Sequence, residues 1–250
     1  MNVEEIISEI DSLKNQLDQI QLSTNNLLRL VPHFRLDWGS DENEITEEYN
    51  IGVTKPILLS KLADTNSKLN SENLLFKNNK IAYLLVDTFL TQKKLSKNLL
   101  LEIHSDIIKH GGNFRNQDVI VNDQTYAAGT FFSKPNDLEF QVEELINWYN
   151  LEANQNEIHP LFLSTLFHYN FVKIHPFLDG NGRLARVISS LILLSYRLPP
   201  PKVTIADRAL YINGLRKADL GDLIPLTVFI GEKIIESLNY ILLSKRNSNE

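Results

Sequence analysis

One stretch of the chain carries most of its chemistry: His175-Pro176-Phe177-Leu178-Asp179-Gly180-Asn181-Gly182-Arg183-Leu184-Ala185-Arg186. Each residue type has work to do at a polyphosphate. A neutral imidazole can take a proton near pH 7. A single carboxylate can hold Mg²⁺, whose other ligands are usually waters and phosphate oxygens. Gly180 and Gly182 open backbone conformations that let successive N–H groups converge on an anion. If a helix begins there, its free N–H groups and dipole add to that site. Arg183 and Arg186 are three residues apart, on one face of that helix, and guanidinium forks match phosphate geometry. A bland reading also exists: Asp-Gly-Asn-Gly is a common turn, and two arginines after it can be a solvated helix face.

The complete stretch is far more specific than the turn. It resembles the signature of the Fic family, His-x-Phe-x-(Asp/Glu)-Gly-Asn-Gly-Arg-x-x-Arg, at every specified position. Further segments are similar to the family: Gly112-Asn113-Phe114-Arg115 ahead of the motif, and Tyr211-Ile212 through Leu215 and Ala218 to Gly221-Asp222 after it. Residues 119–136 look like the family's flap, the hairpin beside the active site. The resemblance covers roughly residues 57–242.

It implies a protein adenylyltransferase, moving AMP from ATP to a Ser, Thr or Tyr hydroxyl of a target protein and of itself. His175 would be the general base and Asp179 the Mg²⁺ ligand. Gly180, Asn181 and Gly182 would cradle phosphates, and Arg183 and Arg186 would hold the outer ones, with Arg186 at the γ-phosphate. Tyr211 would border the adenine, although a tyrosine in that helix can equally be packing. Asp179 is also a candidate N-cap for the helix of Arg183. Phe177 reads as a core aromatic that pins the loop. Pro176 disfavours a helical conformation at His175 and so holds its imidazole at a loop entrance. His168 lies on an apolar helix and reads as a core histidine; His33, His104, His110 and His159 have no metal-site spacing.

Composition narrows the rest. The net charge is −6, from 31 acidic and 25 basic residues, which is no footprint for nucleic acid. There is no cysteine, so disulfide and thiolate chemistry are excluded and a cytoplasmic location is expected. The first residues, Met1-Asn2-Val3-Glu4-Glu5, lack a signal-peptide layout. Apolar runs such as 187–194 are too short to span a bilayer, and no membrane partner is expected.

The elements that must position the motif are helices. Ile6, Ile10, Leu13, Leu17, Ile20, Leu27 and Val31 form a heptad-like seam ended by Pro32. It serves either the chain's own core or a homodimer through residues 6–31. Residues 33–55 are an acidic connector. Helices are then expected near 80–90, 96–109 (stopped by Gly111-Gly112), from an Asp137 N-cap onward, from His159-Pro160 into the motif, through 187–196 to Pro199-Pro200-Pro201, and over 206–217 and 224–244. Val119-Ile120-Val121 and Tyr126 to Phe132 are expected to pair as the flap, offering an edge to a protein substrate.

The expected architecture is all-α, a Fic-like helical bundle with one β-hairpin flap. Residues 1–55 form the amphipathic helix and connector, 56–245 the core, and 246–250 a frayed tail. Two rival functions stand beside AMP transfer. One is an idle nucleotide-binding interaction module. The other is a Fic enzyme with another phosphate donor or with de-AMPylating activity. Many Fic proteins carry an inhibitory (Ser/Thr)-x-x-x-Glu-(Gly/Asn) helix. The nearest match here, Asn66-Ser67-Lys68-Leu69-Asn70-Ser71, has Asn70 where the glutamate belongs, so a weak lock is expected.

Overall fold

The structure, a computed structural model, describes residues 1–20, 88–108, 111–119 and 132–246. Eight α-helices in these residues carry the architecture: α1 Val3–Gln19, α2 Lys97–Ile107, α3 Leu138–Asn150, α4 Glu152–Glu157, α5 Pro160–Ile174, α6 Asn181–Ser195, α7 Arg208–Asp219 and α8 Ile224–Arg246. Residues 88–92 are also helical, and no strand occurs among the described residues.

The central pair is α5 and α6, joined by the motif loop. Helix α5 is apolar on nearly every side, so it has to be buried all round. Leu161, Leu163, Phe167, Phe171 and Val172 are all inside. Pro160 occupies its first turn, where its missing N–H costs nothing, and the His159 ring accepts from the Leu161 N–H. Helices α3, α6 and α8 pack around α5, while α2 lies against α6 and α7 against α8.

Helix α1 begins with a capping box. Asn2 accepts from the Glu5 N–H and the Glu5 carboxylate accepts from the Asn2 N–H, both at 2.9 Å. Its seam residues Ile6, Ile10, Leu13 and Leu17 are buried in the same core as the motif helices, against α8. Contact there is close: a Cβ at Gly231 would stand 2.4 Å from Ile6 Cγ2. Each of these side chains contributes roughly 1.5–3 kcal/mol by burial. The described part of the seam is therefore engaged within its own chain, and residues 6–17 have no apolar face left for a dimer. The other end of α1 is tied down by Asp18, which accepts from Lys14 at 2.6 Å and from Arg197 Nε at 2.9 Å.

One local expectation changes. Asp137 makes no capping bond, because a short 3₁₀ turn, Pro135–Asp137, precedes α3. The rest of the seam beyond Ile20, the acidic connector, the inhibitory-like stretch 66–71 and flap residues 120–131 lie outside the described residues.

Candidate active site

The motif begins where α5 ends. His175 is the C-cap of α5 in the left-handed conformation, φ 53° and ψ 58°, and its N–H still reaches the Phe171 carbonyl. Few non-glycine residues adopt this conformation, and such strain concentrates at functional sites. Pro176 accounts for the exit from the helix. The His175 Nδ1–H donates to the Val172 carbonyl at 3.3 Å, which leaves Nε2 as the acceptor. Burial lowers the imidazole's pKa to about 4, and the neighbouring Arg115 pushes the same way. The ring is neutral at physiological pH, as a base has to be. The Phe132 ring lies 4.1 Å from it, centroid to centroid.

Phe177 is fully buried and holds the loop down. Phe114 meets it edge-on at 5.3 Å and His104 stacks on it at 3.6 Å. The Asn181 side chain clips the same residue twice, accepting from the Phe177 N–H at 2.9 Å and donating to the Phe177 carbonyl at 2.8 Å. The amide is therefore a buried clamp, and the contribution of Asn181 to an anion is its backbone. Gly180 is the N-cap of α6 with φ 78°. A Cβ there would stand 2.7 Å from Ile108 Cγ1, so glycine is required by conformation and by space. The first-turn N–H groups of α6 have no intrahelical acceptor, an arrangement suited to an anion.

Asp179 is solvent-facing. Its carboxylate accepts from the Gly180 N–H and pairs with Arg183 at 2.6 Å. The N-cap role expected for Asp179 falls instead to Gly180, and no side chain caps α6, so the Asp179 carboxylate bonds its neighbour's N–H and Arg183. Arg186 folds back across its own turn: a Cβ at Gly182 would stand 3.3 Å from its Nη1. Tyr211, expected to border the adenine or to pack, is buried beside Arg186, its hydroxyl 2.7 Å from His168 Nε2 and its ring against Phe229. These are packing contacts, and the same side chain lines a small cavity next to Arg186.

Two supporting residues, named in the sequence without a role, acquire one here. His104, on α2, uses both ring nitrogens: Nδ1 accepts from the Gly112 N–H at 2.8 Å, and the Nε2–H donates to the Asp179 carbonyl at 2.9 Å. That bonding defines its tautomer, and burial lowers its pKa. The sole hint in the sequence is the Gly111-Gly112 pair, where a Cβ at Gly111 would stand 2.7 Å from His104 Nδ1. Arg115 is buried and, among the described residues, donates to three backbone carbonyls. Nε reaches the His175 carbonyl at 2.8 Å, Nη1 the Gln117 carbonyl at 2.8 Å, and Nη2 the Ser133 carbonyl. One guanidinium thus ties both ends of the flap segment to the residue beside the motif loop.

Residues 94–193 match the profile of the Fic/DOC family. The chain is 27% identical over 247 residues to the protein adenylyltransferase Fic of Drosophila melanogaster, covering 94% of this chain and 48% of that protein. It spans about half the length of the curated relatives it matches. Among solved structures it is similar to a Fic domain containing signaling protein from Bacteroides thetaiotaomicron, with a TM-score of 0.67, 21% identity, and coverage of 99% of this chain and 97% of that one. It is also similar to Fic-1 from C. elegans, with a TM-score of 0.66, 22% identity, and coverage of 99% and 74%. The fold is the Fic fold.

Proposed function

We propose, from the premise that residues 94–193 form a Fic domain, that this chain transfers AMP from ATP to a hydroxyl of a target protein. The observation that carries the reading is the junction of α5 and α6. A neutral imidazole with Nε2 as acceptor ends one helix, and the open N-terminus of the next begins at Asn181. Base and phosphate cradle are parts of one loop.

The chemistry then needs few groups. The target hydroxyl oxygen attacks the α-phosphorus of ATP, and its proton passes to His175 Nε2. The bond from the α-phosphorus to the bridging oxygen breaks, and pyrophosphate leaves with that electron pair. Negative charge grows on the departing phosphates, where the N–H groups of the α6 first turn, Arg186, and Arg183 once released from Asp179, would hold it.

Asp179 fits Mg²⁺. It offers a hard, solvent-facing carboxylate next to the cradle, and Mg²⁺ characteristically takes one or two carboxylates and completes its shell with phosphate oxygens and water. When bound, the ion would neutralise charge on the phosphates. Asp179 would release Arg183 to hold it, freeing that guanidinium for phosphate.

The protein substrate would dock at the flap near 119–136. Support comes from Arg115, which holds the segment's two ends, and from Phe132 against the His175 ring. A cysteine-free chain suits the reducing cytoplasm, which is the proposed location.

Incubation of the full chain with MgATP and a lysate, followed by intact-mass analysis of labelled proteins, tests the reading. Addition of one AMP to a Ser, Thr or Tyr supports it. Addition of a different phosphate-containing group, or ATP binding with no transfer to any protein including itself, overturns it.

A further inference from the structure

Behind the motif lies a second polar cluster that the transfer chemistry does not use directly. His168 on α5, Arg186 on α6 and Tyr211 on α7 converge on a cavity of about 40 Å³, which Ser164 and Ser189 also line. His168 and Tyr211 are each at least nine-tenths buried. Polar side chains at that depth are retained at a cost unless their bonds are complete.

The bonding order follows from atoms. The His168 ring is neutral, since burial lowers its pKa to about 3 and the Arg186 charge acts in the same direction. Its Nε2 lies 2.7 Å from the Tyr211 hydroxyl. The Tyr211 oxygen in turn accepts from the Arg186 guanidinium, which can only donate. His168 thus reaches the guanidinium of Arg186 through Tyr211.

We infer that His168 and Tyr211 are positioning residues that hold the Arg186 guanidinium in register for the outermost phosphate of the nucleotide. The inference rests on Arg186 being the γ-phosphate ligand in the function proposed above. An arginine has several rotatable bonds, and freezing them before the nucleotide arrives lowers the entropy lost on binding. The cavity beside the three residues is large enough for one water, and Ser164 Oγ, buried with no partner, is a group such a water would satisfy. A dry apolar seat would grip the stem of Arg186 as well, but it would leave the orientation of the fork unspecified.

The test compares ATP with ADP, because only ATP reaches the outermost site. Calorimetric titration of the full chain with MgATP and with MgADP is run on wild type, Tyr211→Phe, His168→Leu and His168→Gln, with the melting temperature of each recorded. Tyr211→Phe keeps the ring and loses one bond to Arg186. It should weaken ATP roughly fivefold, the worth of one ordinary hydrogen bond, and ADP by less than about twofold. His168→Leu should match it. His168→Gln, which retains a buried acceptor and is the safer fold, should recover part of the difference. A Tyr211→Phe protein with wild-type melting and an unchanged ATP-to-ADP ratio overturns the inference. Binding needs no transfer, so a wild type that binds ATP without modifying any protein would defeat the functional reading and leave this comparison intact.

Discussion

The His104 Nε2–H donates to the backbone carbonyl of Asp179 at 2.9 Å, across 75 residues of sequence. Its other nitrogen accepts from Gly112 and its face stacks on Phe177. One buried ring therefore holds the floor of the motif loop, the loop after α2, and the carbonyl beside the candidate metal ligand. His104→Phe keeps the stack and removes both bonds. It leaves a buried N–H and a buried carbonyl without partners, at about 1–3 kcal/mol each. We expect a melting temperature several degrees lower and weakened ATP binding in calorimetry. Unchanged stability would mean that the ring matters only as a plane.

For His175→Ala the expectation is loss of transfer by at least about a hundredfold, with ATP affinity nearly kept, since the cradle does not use the imidazole. Mass analysis and calorimetry on the same sample separate the two quantities. The wild-type pH profile carries a second signature. Because burial sets the His175 pKa to about 4, the base stays neutral well below pH 6.5. The rate should be flat from pH 8 to about 5 and fall only on approach to 4. A half-maximal rate near pH 6.5 would indicate a histidine with an ordinary environment.

Asp179→Asn keeps an oxygen for the Gly180 N–H and removes the charge that Mg²⁺ would need. Transfer should fall by two orders of magnitude or more at saturating MgATP, and excess chelator should abolish the wild-type activity. Retained activity in chelator would leave Asp179 as a helix-start residue paired with Arg183.

Gly180→Ala introduces two costs at one atom. A non-glycine residue at φ 78° is strained by roughly 1–2 kcal/mol. The new methyl would also sit 2.7 Å from Ile108 Cγ1, so α2 has to shift. Chemical denaturation should show a loss of at least about 2 kcal/mol. Nucleotide affinity should fall with it, because the first turn of α6 moves. An unaltered midpoint would show that α2 yields freely.

Acid stability tests the buried histidines together. Burial holds His168 at about 3 and His175 at about 4, against 6.5 for a free side chain. The sign follows from proton uptake: below pH 6.5 the unfolded chain binds protons that the folded one refuses. Their stabilising contribution is complete above 6.5 and is lost as the pH falls toward 4 and then 3. At pH 5 the loss is about 2 kcal/mol per histidine. His168→Gln should flatten the melting temperature between pH 7 and 5 relative to wild type.

The candidate site stood out in the sequence because its residues are close together along the chain and resemble one family motif. A glycine at a helix start, a proline after a histidine and two arginines three apart act within a few residues of one another, so their local conformation could be read from spacing, while their roles came from the resemblance. Helix identity was legible for a similar reason, since apolar periodicity reports which face of each helix must be covered. Such periodicity is silent on what covers it, and only packing decided that the Ile6-to-Leu17 stripe lies on α8 inside its own chain. The same holds for polar residues whose partners are distant. His104 reads as one more helix histidine until α2 is laid beside the motif loop. Tyr211 reads equally as a ligand contact or as packing, and nothing in its spacing points to His168 until α7 brings the two together. A hydrogen bond acts over about 3 Å whatever the separation along the chain, so which buried donor meets which acceptor was decided only when the helices packed.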